Sequence, residues 1–315
     1  MLFVLVASGL ALLALPGLTR RAGRRLHPAE WAGLCGMAVV GGALVVEAGA
    51  LLYAAPMVAR WSRAPGLADL CQRMLGPLAP GGWVAGSLAV GVALILPARG
   101  GVSRARAARV ARLAHVERGL GTRRRVGDHE VVVLPTAQLV AVSVPPRPGR
   151  WPGQIVVSDG LVDALAPGEL DAVVRHEAAH LRHGHHRHLL AAAAVDHAFA
   201  WFPAARWSTA ALRVALERWA DEDAAVAAGR AAVRDALVSV TRCLVAGPAL
   251  AAFSAADSIG ERLDALDHDP PRPGLVPHLL LYLPGTLLGA TAMVALSAWA
   301  CGAEAVMAMA SRCLH

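Results

Sequence analysis

Long apolar runs separated by short arginine-bearing stretches fill the first hundred residues. Beyond them the pattern changes to short Val-rich runs, then to helical periodicity, and a last long apolar run closes the chain. Four of the apolar runs approach or exceed the roughly 20 residues that a helix needs to cross a bilayer: Leu2–Leu18, 32–59, 74–98 and 273–303. Arg20, Arg21, Arg24 and Arg25 follow the first run. A secretory signal carries its basic residues ahead of the apolar stretch, so this one reads as a retained span. Only Glu47 interrupts the second run, and a carboxylate at that depth is costly unless protonated or paired on another span. Gly81, Gly82 and Trp83 mark a membrane–water boundary in the third.

Composition agrees with spans. Apolar residues are 56% of 315 and charged residues only 17%, which excludes a disordered chain, a coiled coil and an ordinary water-soluble enzyme. Every basic residue other than histidine is arginine. The accompanying Ala/Gly bias points to genome composition, so the net charge of +7 carries little functional weight. Arginine position is more informative. The loop after the first span holds four, and Arg99, Arg104, Arg106, Arg109 and Arg112 follow the third. The positive-inside rule places both segments in the cytoplasm, with both termini outside. The nine arginines between 99 and 125, set against Glu117 alone, fit a helix lying on anionic lipid better than a nucleic-acid site.

The expected organisation is therefore mainly α: a polytopic membrane protein with three spans in 1–98, a cytoplasmic α+β domain in 99–272, and a fourth span with a short external tail in 273–315. Within the middle segment, 130–134, 139–144 and 154–157 read as strands, with Pro145, Pro146, Pro148 and Gly149 breaking the chain between the last two. A helix should begin near Pro167, where proline suits a first turn and Glu169 and Asp171 favour the positive end of the helix dipole.

That helix carries His176-Glu177-Ala178-Ala179-His180. Two histidines at i and i+4 lie on one helical face and can share a Zn²⁺, while the glutamate between them can serve as base towards a water. A catalytic zinc takes three protein ligands and keeps one position open. His186 has the spacing of a third histidine ligand, but His183 stands where that pattern requires glycine. Glu217 is the better candidate, in Glu217-Arg218-Trp219-Ala220-Asp221, with Asp221 one turn on to accept a hydrogen bond from a ligand imidazole. His185, His186 and His188 could hold a second metal, although exposed polar surface suits them better. The apolar run 189–201 falls between the two motifs. One span there would put the ligands on opposite sides of the membrane, and two spans do not fit in 36 residues. It should be a helix packed inside the domain or lying on the membrane surface.

HExxH followed by ExxAD, joined to several spans, resembles the membrane gluzincins. The three-then-one span layout is similar to the BlaR/MecR-type signalling peptidases, and more distantly to the HtpX and CAAX-prenyl-protease type, which places a membrane hairpin between its motifs. The strings Ile155-Val156-Val157-Ser158-Asp159-Gly160-Leu161 and Glu169-Leu170-Asp171-Ala172-Val173-Val174 are similar to the strand and helix start before the motif in both. The resemblance implies one Zn²⁺ per chain on His176, His180 and Glu217, Glu177 as the base, and a multi-pass protein of the cell membrane with its peptidase site in the cytoplasm. Its partners would be the bilayer and a protein or peptide substrate such as a repressor, with no direct nucleic-acid binding. The penicillin-binding sensor that BlaR-type receptors carry after the last span has no counterpart in these 315 residues, which leaves the input signal open. Alternatives are a quality-control peptidase of HtpX type and a non-catalytic metal-binding membrane protein. The 139–144 segment is either an edge strand that holds substrate or an ordinary core strand. On this topology Cys71, Cys301 and Cys313 share the oxidising side, where one disulfide can form.

Overall fold

The computed structural model describes residues 2–61, 66, 82–117, 121–146, 152–246, 252–272 and 274. The fourth expected span and Cys71, Cys301 and Cys313 lie outside these residues. The apolar N-terminal part forms α1 (Leu2–Leu18), a short α2 (Arg20–Gly23), α3 (Pro28–Trp61) and α4 (Gly82–Glu117). Among the described residues, two stretches of helix are long and apolar enough to cross a membrane, Pro28–Ala55 in α3 and Gly86–Ser103 in α4, and Leu5–Leu18 is a shorter apolar one. α1 and α3 pack antiparallel with their backbones in close approach. A Cβ on Gly42 would come 2.7 Å from the carbonyl oxygen of Gly9, so the two glycines set the helix spacing.

The first part of the arginine run, Arg99 to Arg112, lies on the helix that continues the third expected span. α4 continues unbroken through position 98 to Glu117, and Arg123, Arg124 and Arg125 belong instead to a strand, β1 (Thr122–Val126). β1 pairs antiparallel with β2 (His129–Leu134) around Gly127, whose φ of +54° lies in the left-handed region. The Gly127-Asp128 pair is a hairpin signal that the run of charges obscured. β3 (Ala141–Val144) and β4 (Gln154–Ser158) complete a sheet of order β1-β2-β4-β3, with β2 and β4 parallel and β3 on an edge.

Side chains alternate across the sheet. Val131, Val133, Ile155 and Val157 face a core shared with Leu170 and Val174, while Val132, Val144 and Val156 form a smaller cluster. After the short α5 (Asp159–Ala164), which Ser158 caps, α6 (Pro167–Arg182) lies on the larger core. Glu169 fastens the start of α6 by accepting from the backbone N–H of Ala166 at 2.9 Å and from Ser239 Oγ at 2.7 Å.

α7 (His185–Ala198) and α8 (Pro203–Ala228) form a helical hairpin, followed by α9 (Arg230–Ala246) and α10 (Ala252–Leu266). The 189–201 run is not packed within the strand-bearing unit. It lies among the N-terminal helices: Val195, Ala198 and Phe199 share a core with Leu13, Val39, Val46 and Leu96. The first half of α8 follows the same helices, with Ser208 Oγ accepting from the backbone N–H of Gly17 at 2.9 Å. Leu212, Ala215 and Leu216 bury against Trp31, Ala32 and Cys35. Alanine and glycine at the contacts let these helices approach closely, so a segment too short for two spans still finds an apolar partner.

A candidate metal centre

α6 and the second half of α8 cross at the motifs. The i, i+4 spacing puts His176 and His180 one above the other on α6, and their Nε2 atoms are 3.1 Å apart. Glu217 reaches across from α8, with Oε2 3.4 Å from Nε2 of His176 and Oε1 3.4 Å from Nε2 of His180. The ligand atoms of all three lie within 4.8 Å of one another, and this is the one metal-capable group of its kind among the described residues. His186 is outside it.

The arrangement can be tested against zinc on its own geometry. Ligands about 2.0–2.1 Å from a tetrahedral ion stand about 3.3 Å apart, close to the 3.1 and 3.4 Å observed. Each imidazole has its other nitrogen engaged. Nδ1 of His176 lies 2.9 Å from Asp221 Oδ1, and Nδ1 of His180 lies 2.9 Å from Nδ1 of His185. Both Nε2 atoms are thereby directed towards Glu217. Three donors of nitrogen and oxygen type, with a cavity beside them, fit an ion that keeps an open position.

Arg262 of α10 joins the group from outside both motifs. Its Nε and an Nη each bind one oxygen of Asp221 at 2.7 Å, and its other Nη lies 3.2 Å from Glu217 Oε2. No local pattern announces it, since it stands 41 positions beyond Asp221. Burial works against the charged form of His176, but the hydrogen bonds it donates to Asp221 and Glu217 outweigh burial and push its pKa up to about 10. Burial alone would raise the two carboxyl groups. The paired His176 and Arg262 instead hold both below the usual carboxylate range. His180 is shifted the other way, lowered by burial and then by the charge on His176.

The histidines that follow are not simply exposed surface. His185 is fully buried, and burial together with its histidine neighbours pushes it down to about 3, so it is neutral near pH 7. His183 stacks on Trp219 with centroids 4.4 Å apart.

Glu177 lines a cavity of about 260 Å³ with His176, Glu217, Asp221 and Arg262. Its remaining walls are apolar: Leu139 and Ala141 beside the β3 edge, Val173 on α6, and Val233, Leu237 and Val240 on α9. Glu261, next to Arg262, points the other way and pairs with Arg24 and with Arg20, the latter at 2.8 Å. α10 thus joins the metal-capable group to the arginines that follow α1.

No curated protein and no solved structure matches the chain. Residues 148–254, about a third of the chain, match the sequence profile of peptidase family M48, a family of zinc metallopeptidases. That segment holds β4, both motifs and most of the cavity wall, and ends before Arg262. The part of the chain that brings His176, His180 and Glu217 together is thus similar to a metallopeptidase domain of family M48.

Proposed function

We propose that the protein is a membrane-associated zinc endopeptidase that cleaves protein substrates at the cytoplasmic face. The observation that carries the reading is the convergence of His176, His180 and Glu217 on one point, with Glu177 in the same cavity. His176, His180 and Glu217 would hold the zinc, which when bound polarises the scissile carbonyl and makes a water more acidic. Glu177 takes the proton of the attacking water and passes it to the leaving amine. Asp221, held by Arg262, orients His176. Among the described residues β3 has one strand neighbour, so its other edge beside the cavity can receive an extended peptide as an added strand.

Two substrate classes remain. The three-then-one span layout expected from the sequence would suit a signalling peptidase that cleaves a repressor. The α7–α8 hairpin, packed among the apolar helices between the two motifs, favours the second: quality control of membrane proteins in the manner of the HtpX type. In either case full-length protein in detergent should bind one zinc per chain and hydrolyse an unfolded protein, lose the activity to a chelator and regain it with zinc. His176→Ala and Glu217→Ala should lose metal and activity together. A chelator-resistant activity would refute the reading.

A further inference from the structure

α6 ends at Arg182, and the chain reverses at Gly184, whose φ of +64° is a conformation that other residues adopt at a cost. A Cβ there would meet nothing closer than 4.0 Å, so backbone conformation and not space selects the glycine. The reversal returns the first residue of α7, His185, onto the last turn of α6. The His185 ring meets that of His180 edge-on, with centroids 4.8 Å apart and planes at 84°, and the two Nδ1 atoms are 2.9 Å apart. Trp219, two residues beyond Glu217 on α8, closes the other side with its ring centroid 4.8 Å from that of His185. His185 is 0% exposed.

We propose that His185 is a positioning residue for the metal centre, accepting the Nδ1 proton of His180 so that the Nε2 lone pair of His180 faces the ion. The proposal rests on the metallopeptidase reading of the same site. The protonation pattern follows from the geometry. A His180 that ligates through Nε2 carries its proton on Nδ1, where the atom opposite is Nδ1 of His185. That nitrogen must then be an acceptor, which leaves the proton of His185 on Nε2. Nε2 of His185 is buried and has no hydrogen-bond partner among the described residues. A buried N–H without an acceptor opposes folding, so an apolar side chain of similar size would serve the core better. Histidine at this position is explained by what its other nitrogen does. The two ligand histidines are thus held differently: His176 by a carboxylate that Arg262 neutralises, and His180 by an imidazole. Outer partners of metal-bound histidines typically change metal affinity 10–100-fold when removed.

The test compares full-length wild type with His185→Leu and His185→Asn in detergent. Three quantities are read: zinc affinity by chelator competition, the visible absorption of the Co²⁺-loaded protein, and the melting temperature of the metal-free protein. His185→Leu should bind zinc about 10–100-fold more weakly and shift the Co²⁺ bands, while its metal-free melting temperature stays level or rises. His185→Asn, which keeps an acceptor oxygen, should recover most of the affinity. A Leu variant with wild-type zinc affinity and Co²⁺ spectrum overturns the proposal while wild type still binds zinc. A Leu variant that loses metal-free stability, with affinity that Asn does not rescue, reduces His185 to packing and overturns it too. Wild type that takes up no zinc removes the metallopeptidase reading itself, and this proposal with it.

Discussion

Arg262→Ala removes a cation that grips Asp221 with two hydrogen bonds and also touches Glu217. The Asp221 side chain is 3% exposed and that of Arg262 15%, so the pair lies in the interior and solvent does little to screen it. Two hydrogen bonds of 2.7 Å and one contact of 3.2 Å are lost. Two carboxylates are then left to share His176. Breaking a buried pair by deleting one partner costs on the order of 3–5 kcal/mol. At roughly 2–4 °C per kcal/mol for a unit of 150–250 residues, the metal-free protein should melt about 6–20 °C lower. Zinc would supply a new positive partner for Glu217, so the loss should shrink when the metal is bound. Arg262→Lys should recover only part of it, because an ammonium cannot reproduce the two-pronged contact. Thermal unfolding with and without zinc reads all of this. A metal-free Arg262→Ala protein that melts with wild type would show that the pair contributes nothing to the fold.

Two further outcomes follow from the structure. In the metal-free protein His176 is protonated up to a pKa of about 10, so zinc must displace that proton. Zinc affinity should rise about tenfold per pH unit between pH 6 and 8, with about one proton released per ion in calorimetry in buffers of different ionisation heat; a flat profile would contradict the His176–Asp221–Glu217 arrangement. Gly17→Leu places a side chain where a Cβ already comes 2.7 Å from Cβ of Trp207. It should force α1 away from α8 and lower thermal stability by several degrees, and an unchanged melting curve would argue against the hairpin packing on α1.

The parts of the fold written in local pattern could be read from the sequence. Val-rich runs bounded by proline and glycine gave the positions of β2, β3 and β4, and Pro167 with Glu169 marked the start of α6. The i, i+4 histidines and the Glu217/Asp221 pair were legible because helical spacing is a local property. β1 was not, because three consecutive arginines hide a strand whose stability comes from pairing with β2. The neighbours of the 189–201 run among the N-terminal helices were not legible, because apolar periodicity says that a face is buried, not which element buries it. Arg262 and His185 share that difficulty. Their partners are fixed by the meeting of α10 with α8 and by the reversal at Gly184, and one residue among 30 arginines or 13 histidines carries no local mark.

The central claim is that Glu177 acts as a base beside a metal that other residues hold. Glu177→Gln changes the charge and hardly the shape of that side chain, so it separates the two roles. Metal content and peptide hydrolysis measured on one preparation of this variant test the claim most directly. The variant should carry about one zinc per chain, as in wild type, with hydrolysis lost. Hydrolysis at the wild-type rate by a fully zinc-loaded Glu177→Gln protein would contradict it.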